Sequence, residues 1–377
     1  MRIFFDARLV GSRSDFIWAD GEIHIEPARD DDWKFHISDK RKMCVKAASE
    51  AAGCNLEIKP NIPAASFWMK HTQHPAWSMI MQKRDFTAHL RNQIDAVVSF
   101  LENLDNRYFL THFQVQQSLI DYLAPSRIAD GSLSDSGFIP DAQGFVPVPR
   151  YDNHSSSTGR MSIVSGPRIL TLPKEQRKKI ASRWKDGVIL EIDFNALEAR
   201  VLSWMAGNEQ AEGDLYETIG RRSGLTGISR GVIKEATLAA IYGMSRRNFA
   251  LRYQDMPDAI DVYEKVRKTM KVNELDRDLA GKKAFTNAFG RPLEQTSARI
   301  SHYVQSSAVD VACHGFSSLI ASIDPASAVP IFLIHDAIIL DVKRDYINAI
   351  EDACKYGLAI SIMNQNLPVK VRRISDE

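Results

Sequence analysis

The sequence predicts an α+β protein, on three observations. Short alternating runs separated by turn residues fill the first few dozen positions. Longer stretches with apolar residues three and four apart occupy much of the middle. Two apolar blocks, around 188–192 and 330–342, are separated by a largely helical pattern. A chain of 377 residues, 44% hydrophobic and 25% charged, can bury a sizeable core in two or three domains. Its formal net charge of +1 creates no global positive field, so any polyanion-binding surface must come from local clusters of Lys and Arg. Cys44, Cys54, Cys313 and Cys354 are scattered without a C-x-x-C pair. That argues against a disulfide framework or zinc site and fits buried thiols in a reducing cytosol. The start, MRIFFDARLV, is too short and charged for a signal sequence, and no window holds the roughly 18 apolar residues of a membrane span. A cytoplasmic protein is expected.

Residues 1–58 read as a small β-rich unit, with Asp20-Gly21 as a hairpin turn and a short helix at about 39–52. Pro60, Pro63 and Pro75 punctuate an ordered linker carrying Phe67, Trp68 and Trp77. Phe86, Leu90, Ile94, Val97, Val98 and Leu101 predict an amphipathic helix over 85–104, and a second helix over 107–123 stops before Pro125. The two form an expected helical hairpin. GSLSDSG at 131–137 is a Gly/Ser-rich turn near a domain boundary, and 174–185 is a basic helix or turn whose simplest reading is a solvated charged face. Further helices are expected after Gly207, over about 228–250, over 258–283 and over 297–323, with a turn at Gly290-Arg291. PIFLIHDAIILDV reads as a β-hairpin with His335 and Asp336 at its tip, 344–363 as an amphipathic helix, and LPVKVRRIS as a final strand.

The chemistry centres on GVILEIDFNALEARVLSWMAG at 187–207, an apolar strand ending in Asp193. A carboxylate at a strand-to-helix junction is a routine N-cap, the simplest reading of Asp193 alone. A buried ionised carboxylate is otherwise paired, hydrogen-bonded or bound to a metal. Asp336, between two apolar runs, is hard to explain as packing. Arg230, Lys234, Leu238 and Tyr242 recur every four residues on one helix face, with Gly243 as its break. Two cations and a ring there can grip a triphosphate and stack on a base, or simply face water; spacing does not choose.

Taken together, DFNALEAR (193–200), RGVIKEATLAAIYGMS (230–245) and IHDAIILDV (334–342) resemble, in order and spacing, the three polymerase motifs of family A DNA polymerases. STGRMS (157–162), Gly290-Arg291 and the helix of Gln305 fall where that family contacts primer-template DNA. The likeness runs from about residue 138 to the C-terminus. It implies a right-hand fold with an antiparallel palm sheet (138–207 and 285–377), helical fingers (208–284) and a linker with a shortened helical thumb (59–137). Asp193 and Asp336, helped by the Phe194 carbonyl, would hold two magnesium ions. Arg230, Lys234 and, near a further triphosphate contact, Lys174 would bind the incoming deoxynucleoside triphosphate. Tyr242 would lie near the templating base, with Leu238 by the sugar and Glu198 as the steric gate against a ribose 2′-hydroxyl. Arg160, Gln305, Arg291 and His335 would contact primer-template DNA, the first two on the minor-groove side.

The sequence also departs from the family. Leu238 replaces the usual aromatic residue, Ala337 the usual Glu, and Asn195-Ala196 the usual Ser-Gln. The first 137 residues have no room for a proofreading domain, and Asp6 is followed by Ala7 and Arg8 where an exonuclease motif needs a second carboxylate. The expectation is a compact, phage-like polymerase without proofreading and of low processivity, which leaves room for an accessory replisome subunit. The alternatives are a single-subunit phage-type RNA polymerase, which Glu198 opposes, and a degenerate polymerase fold acting as a DNA-binding replisome module.

Overall fold

The computed structural model describes residues 2–5, 7, 14–27, 29, 33–35, 77–102, 107–152, 156, 158–211, 213–256, 258–280, 282, 284–294 and 299–375. The chain divides into two compact units, Met1–Arg107 and Tyr108–Glu377. In the first, strands β1 (Arg2–Phe5), β2 (Phe16–Ala19), β3 (Glu22–His24) and β4 (Trp33–Phe35) form a sheet in the order β3-β2-β1-β4. Ala19 pairs with Glu22 across a two-residue turn. Asp20 and Gly21 take φ of 52° and 86°, the double positive φ that makes Asp-Gly a hairpin signal. β4 joins β1 in parallel. A short helix α1 (Trp77–Ile80) precedes α2 (Lys83–Glu102), whose Leu90, Ile94 and Val98 pack with Ile3, Phe5, Phe16 and Trp18. The periodicity that predicts this helix also supplies its buried face. The expected helix at 39–52, the linker prolines and aromatics up to residue 76, Asp6, Arg8, Cys44 and Cys54 lie outside the described residues.

The second unit opens with α3 (Arg107–Asp121), β5 (Ser126–Ile128), β6 (Phe145–Val146), β7 (Arg150–Asp152) and β8 (Ser162–Ser165). Between β5 and β6, residues Gly131–Ser136 wind into a 3-10 helix in place of an open turn. Asp130 accepts from the Ser132 amide at its start and Gly137 ends it at φ 80°. Next come α4 (Lys174–Arg177), β9 (Ile180–Ala181), β10 (Val188–Phe194) and α5 (Leu197–Met205), followed by the helices α6 (Leu215–Arg222), α7 (Arg230–Ile241), α8 (Arg246–Arg252), α9 (Ala259–Thr269) and α10 (Val272–Leu279). The break between α7 and α8 falls at Gly243, φ 72°, as its sequence position predicts.

Residues around Gly290 form a hairpin, β11 (Ala284–Thr286) with β12 (Pro292–Glu294), and the buried helix α11 (Arg299–Ser322) follows. The hairpin β13 (Ala328–Ile334) and β14 (Ala337–Val342) then joins β10 and, after α12 (Ile347–Cys354), β15 (Leu358–Ile360) and β16 (Gln365–Leu367), the last strand β17 (Val369–Ser375). The central sheet has the order β13-β14-β10-β17, antiparallel throughout.

This sheet is covered on both faces. Val188, Leu190, Ile192 and Phe194 pack with Val311, Ala312 and Phe316 of α11, while Ile189 meets Phe332 and Ile339 in a second cluster. Burial on both sides explains why β10 and the hairpin read as nearly continuous apolar runs. The helices α5 to α9 close around a third cluster that includes Ile233, Ala236, Phe249 and Tyr263. One prediction fails: the helix expected over 344–363 ends at Cys354. Gly357, at φ 82°, brings its backbone so close to Leu367 that an added Cβ would lie 2.3 Å from the carbonyl oxygen, and the chain turns there into the β15-β16 hairpin. Among the described residues, no helix is long and apolar enough to cross a membrane.

Candidate active site

β10 places Glu191 and Asp193 two residues apart, hence on the same face of the strand. Asp193 is not a helix cap: the residue before α5 is Ala196, in the left-handed region at φ 57°, and it makes no side-chain capping bond. Asp193 pairs with Ala337 in the ladder, and the Phe194 amide donates to the Asp336 carbonyl at 3.0 Å. The hairpin therefore sets Asp336 at the end of β10. Its turn needs His335 at φ 49°, a conformation that costs a β-carbon-bearing residue on the order of 1 kcal/mol. Asp193 has its pKa pushed up to about 6, first by burial and then by the Asp336 charge, against the pull of Arg372. Glu191, 6% exposed, lies between Arg177 at 2.9 Å and Arg372 at 3.3 Å, and Arg372 also reaches Asp193 at 3.4 Å.

Beside these acids is a second polar group. Glu198, in the first turn of α5, accepts from Arg160 Nη2 at 2.5 Å and from Tyr242 Oη at 2.7 Å. The Tyr242 hydroxyl also hydrogen-bonds Gln305. Burial, then Glu198, raises the Tyr242 pKa, which keeps the ring a neutral donor. His335 links the two groups electrostatically: burial and then the Arg160 charge lower its pKa, while Asp336 opposes them.

Arg160 owes its position to a buried scaffold. Gly159, at φ 75°, lies directly over the Arg291 guanidinium, where an added Cβ would be 2.8 Å from Nη1. Its carbonyl accepts from Gln116 Nε2 at 2.8 Å. Arg291 is 5% exposed and pairs with Asp310 of α11 at 2.5 Å, with the Asn287 amide also donating to Asp310. The direct DNA contact expected of Arg291 is thus corrected to an interior position: its guanidinium faces Asp310 and supports the loop that carries Arg160.

On α7, Arg230 and Lys234 are exposed and one turn apart. Arg230 pairs with Asp214 at 2.6 Å and lies over the Tyr216 ring at 5.3 Å; Asp214 also caps α6. Leu238 is half-buried, and Tyr242 follows as the cap residue. Lys174, exposed at the start of α4, is close enough to lower the Asp193 pKa. The site also holds Glu191, Arg177, Arg372, Asp214, Gln116 and Asp310, which motif reading misses. Glu191 had one signal in the sequence, a charged residue within a strand that otherwise reads as mostly apolar.

The acids suit a hard divalent cation. Asp193, Asp336 and the Phe194 carbonyl are oxygen donors; burial and then the Asp336 charge raise the Asp193 pKa, and that repulsion is what a cation between two carboxylates relieves. Among the described residues, no group of three or more His, Cys, Asp or Glu side chains is arranged to hold a metal.

No protein-family model matches the chain, and no curated protein does. Among solved structures it is similar to the polymerase domain of Pol1 from M. smegmatis, in complex with DNA primer-template and dNTP, at 15% identity and a TM-score of 0.50. The match covers 87% of this chain and 63% of that one, so the chain spans less than two thirds of that domain's length. At this identity the likeness is one of fold: the second unit's antiparallel sheet and helices belong to a mixed α/β chain structurally similar to a DNA polymerase domain.

Proposed function

We propose that this protein is a template-directed DNA polymerase of the family A type, extending a primer with deoxynucleoside triphosphates and lacking proofreading. The observation that carries this reading is the placement of Asp193 and Asp336 at one end of an antiparallel sheet, with Glu198, Arg160 and Tyr242 bonded together beside them. The central sheet is the palm of this reading and the helices within 208–284 its fingers. Asp193, Asp336 and the Phe194 carbonyl would hold the magnesium. Bound there, two such ions supply activation of the primer 3′-hydroxyl and charge stabilisation at the transferring phosphate.

The chain's own residues bind and select. Lys234 and Arg230 face solvent on one side of α7 and would take the triphosphate, with Lys174 approaching from the acid side. Arg230 exchanges an exposed pair with Asp214 for phosphate oxygens, a cheap exchange because such pairs contribute little. Glu198 would close the space a 2′-hydroxyl needs, held there from both carboxylate oxygens by Arg160 and Tyr242. Leu238 would flank the sugar, Tyr242 the templating base, and His335 the primer terminus. Arg160 and Gln305 would touch the minor groove of the primer-template, with Arg291 acting through Gly159.

Primer extension with deoxy- and ribonucleotides tests the reading. Magnesium-dependent deoxynucleotide addition, lost in Asp193→Asn, is expected. Ribonucleotide preference would favour an RNA polymerase, and equal behaviour of wild type and variant would favour a DNA-binding module. Metal-dependent removal of a mispaired primer terminus would contradict the absence of proofreading.

A further inference from the structure

We infer that Arg372 is an internal counter-ion for Asp193, a positioning residue whose guanidinium competes with a divalent cation for that carboxylate; this rests on the cation site proposed for Asp193 and Asp336. β17 is an edge strand, and its ladder with β10 sets Arg372 directly opposite Glu191. Side chains opposite each other in a ladder share a face, so Arg372 lies on the side that carries both acids. Its two terminal nitrogens divide between them, Nη1 at 3.3 Å from Glu191 Oε1 and Nη2 at 3.4 Å from Asp193 Oδ2. This is a fork bridging two carboxylates, which a guanidinium does and an ammonium does poorly.

The two acids are not equally dependent on it. Glu191 is also bound by Arg177 at 2.9 Å, so it remains paired if Arg372 moves away. Asp193 has no second cation within ion-pair distance among the described residues, and Asp336 has none. Arg372 is 43% exposed on an edge strand, free to withdraw toward Glu191 or solvent, whereas Arg177 is 11% exposed. A divalent cation entering between Asp193 and Asp336 must share the Asp193 carboxylate with the guanidinium, which holds Oδ2, or displace it. Before a cation arrives, the same guanidinium holds the Asp193 carboxylate in place beside the hairpin. The device therefore orients the acid and weakens cation binding to the protein alone.

The test is Mn²⁺ binding to the full chain without nucleic acid, followed by paramagnetic resonance at alkaline pH in wild type, Arg372→Gln, Arg372→Met, Arg372→Lys and Asp193→Asn. Removing one positive charge this close should tighten binding about tenfold in both neutral variants. Arg372→Lys, which keeps the charge, should stay within about threefold of wild type. Asp193→Asn should lose the site. Unchanged or weaker binding in both neutral variants, with Asp193-dependent binding intact in wild type, overturns the counter-ion and leaves the cation site standing. Absence of any Asp193-dependent binding in wild type overturns both.

Discussion

Replacing Asp310 by Ala should destabilise the second unit and weaken the site through a residue that touches neither substrate nor primer in the proposed reaction. Asp310 is 1% exposed and accepts from both sides of the Arg291 fork and from the Asn287 amide. Without it the buried guanidinium loses its Asp310 ion pair, and removal of one partner from a buried ion pair costs about 3–5 kcal/mol. Against the roughly 5–15 kcal/mol that holds a domain folded, this is a large fraction. The site should respond as well, because Arg291 supports Gly159 and the next residue is Arg160. The measurement is urea unfolding followed by tryptophan emission, to which Trp204, stacked on Phe289 at 5.6 Å, contributes. A double variant, Arg291→Met with Asp310→Leu, removes both charges and should recover most of the stability, since an apolar replacement of a buried pair is often neutral. A cost below about 1 kcal/mol for Asp310→Ala, or no recovery in the double variant, would refute the view that this pair is a buried, mutually dependent scaffold.

Acid should unfold the protein through a histidine pair. His112, 1% exposed, bonds His314 at 2.7 Å, and its pKa is held down to about 4, mainly by burial. The unfolded chain binds the proton more readily, so this contribution is present above about pH 6.5 and is lost as pH falls toward 4, at most about 3 kcal/mol. Urea midpoints against pH should be flatter in His112→Gln across that window. Gly315→Ala should cost about 1–3 kcal/mol by overpacking, since its Cβ would lie 2.6 Å from the Phe194 ring and 2.8 Å from Ile360. Thermal melting checks the cost, and a fall in primer extension is expected because the displaced ring is next to Asp193. Glu198→Ala should raise ribonucleotide incorporation relative to deoxynucleotide at least about tenfold, measured on one primer, by removing the obstructing side chain.

Local patterns carried much of the fold because their causes are local. The Asp20-Gly21 turn, the stripe of Leu90, Ile94 and Val98, the helix stop at Gly243 and the His335-Asp336 hairpin each follow from backbone preference or side-chain periodicity within a few residues. The 344–363 helix failed because Gly357 meets Leu367, a contact ten residues away that periodicity does not register.

The site divides along the same line. Asp193, Asp336, Glu198, Arg230 and Lys234 could be named from motifs, since their types and spacing are written in the chain. Spacing could not decide whether Asp193 was a cap; its pairing with Ala337 did, by putting it within a strand and beside Asp336. Nor could it separate an exposed arginine from a buried one. Arg230 reaches solvent and Arg291 does not, because the acid that each faces lies in one case at the surface start of α6 and in the other inside α11. Sequence by itself determined which chemical groups this protein carries and which segments coil or extend. Tertiary structure alone decided which charges meet, and with that Arg372 became part of the site, because Coulomb energy depends on distance in space and not along the chain.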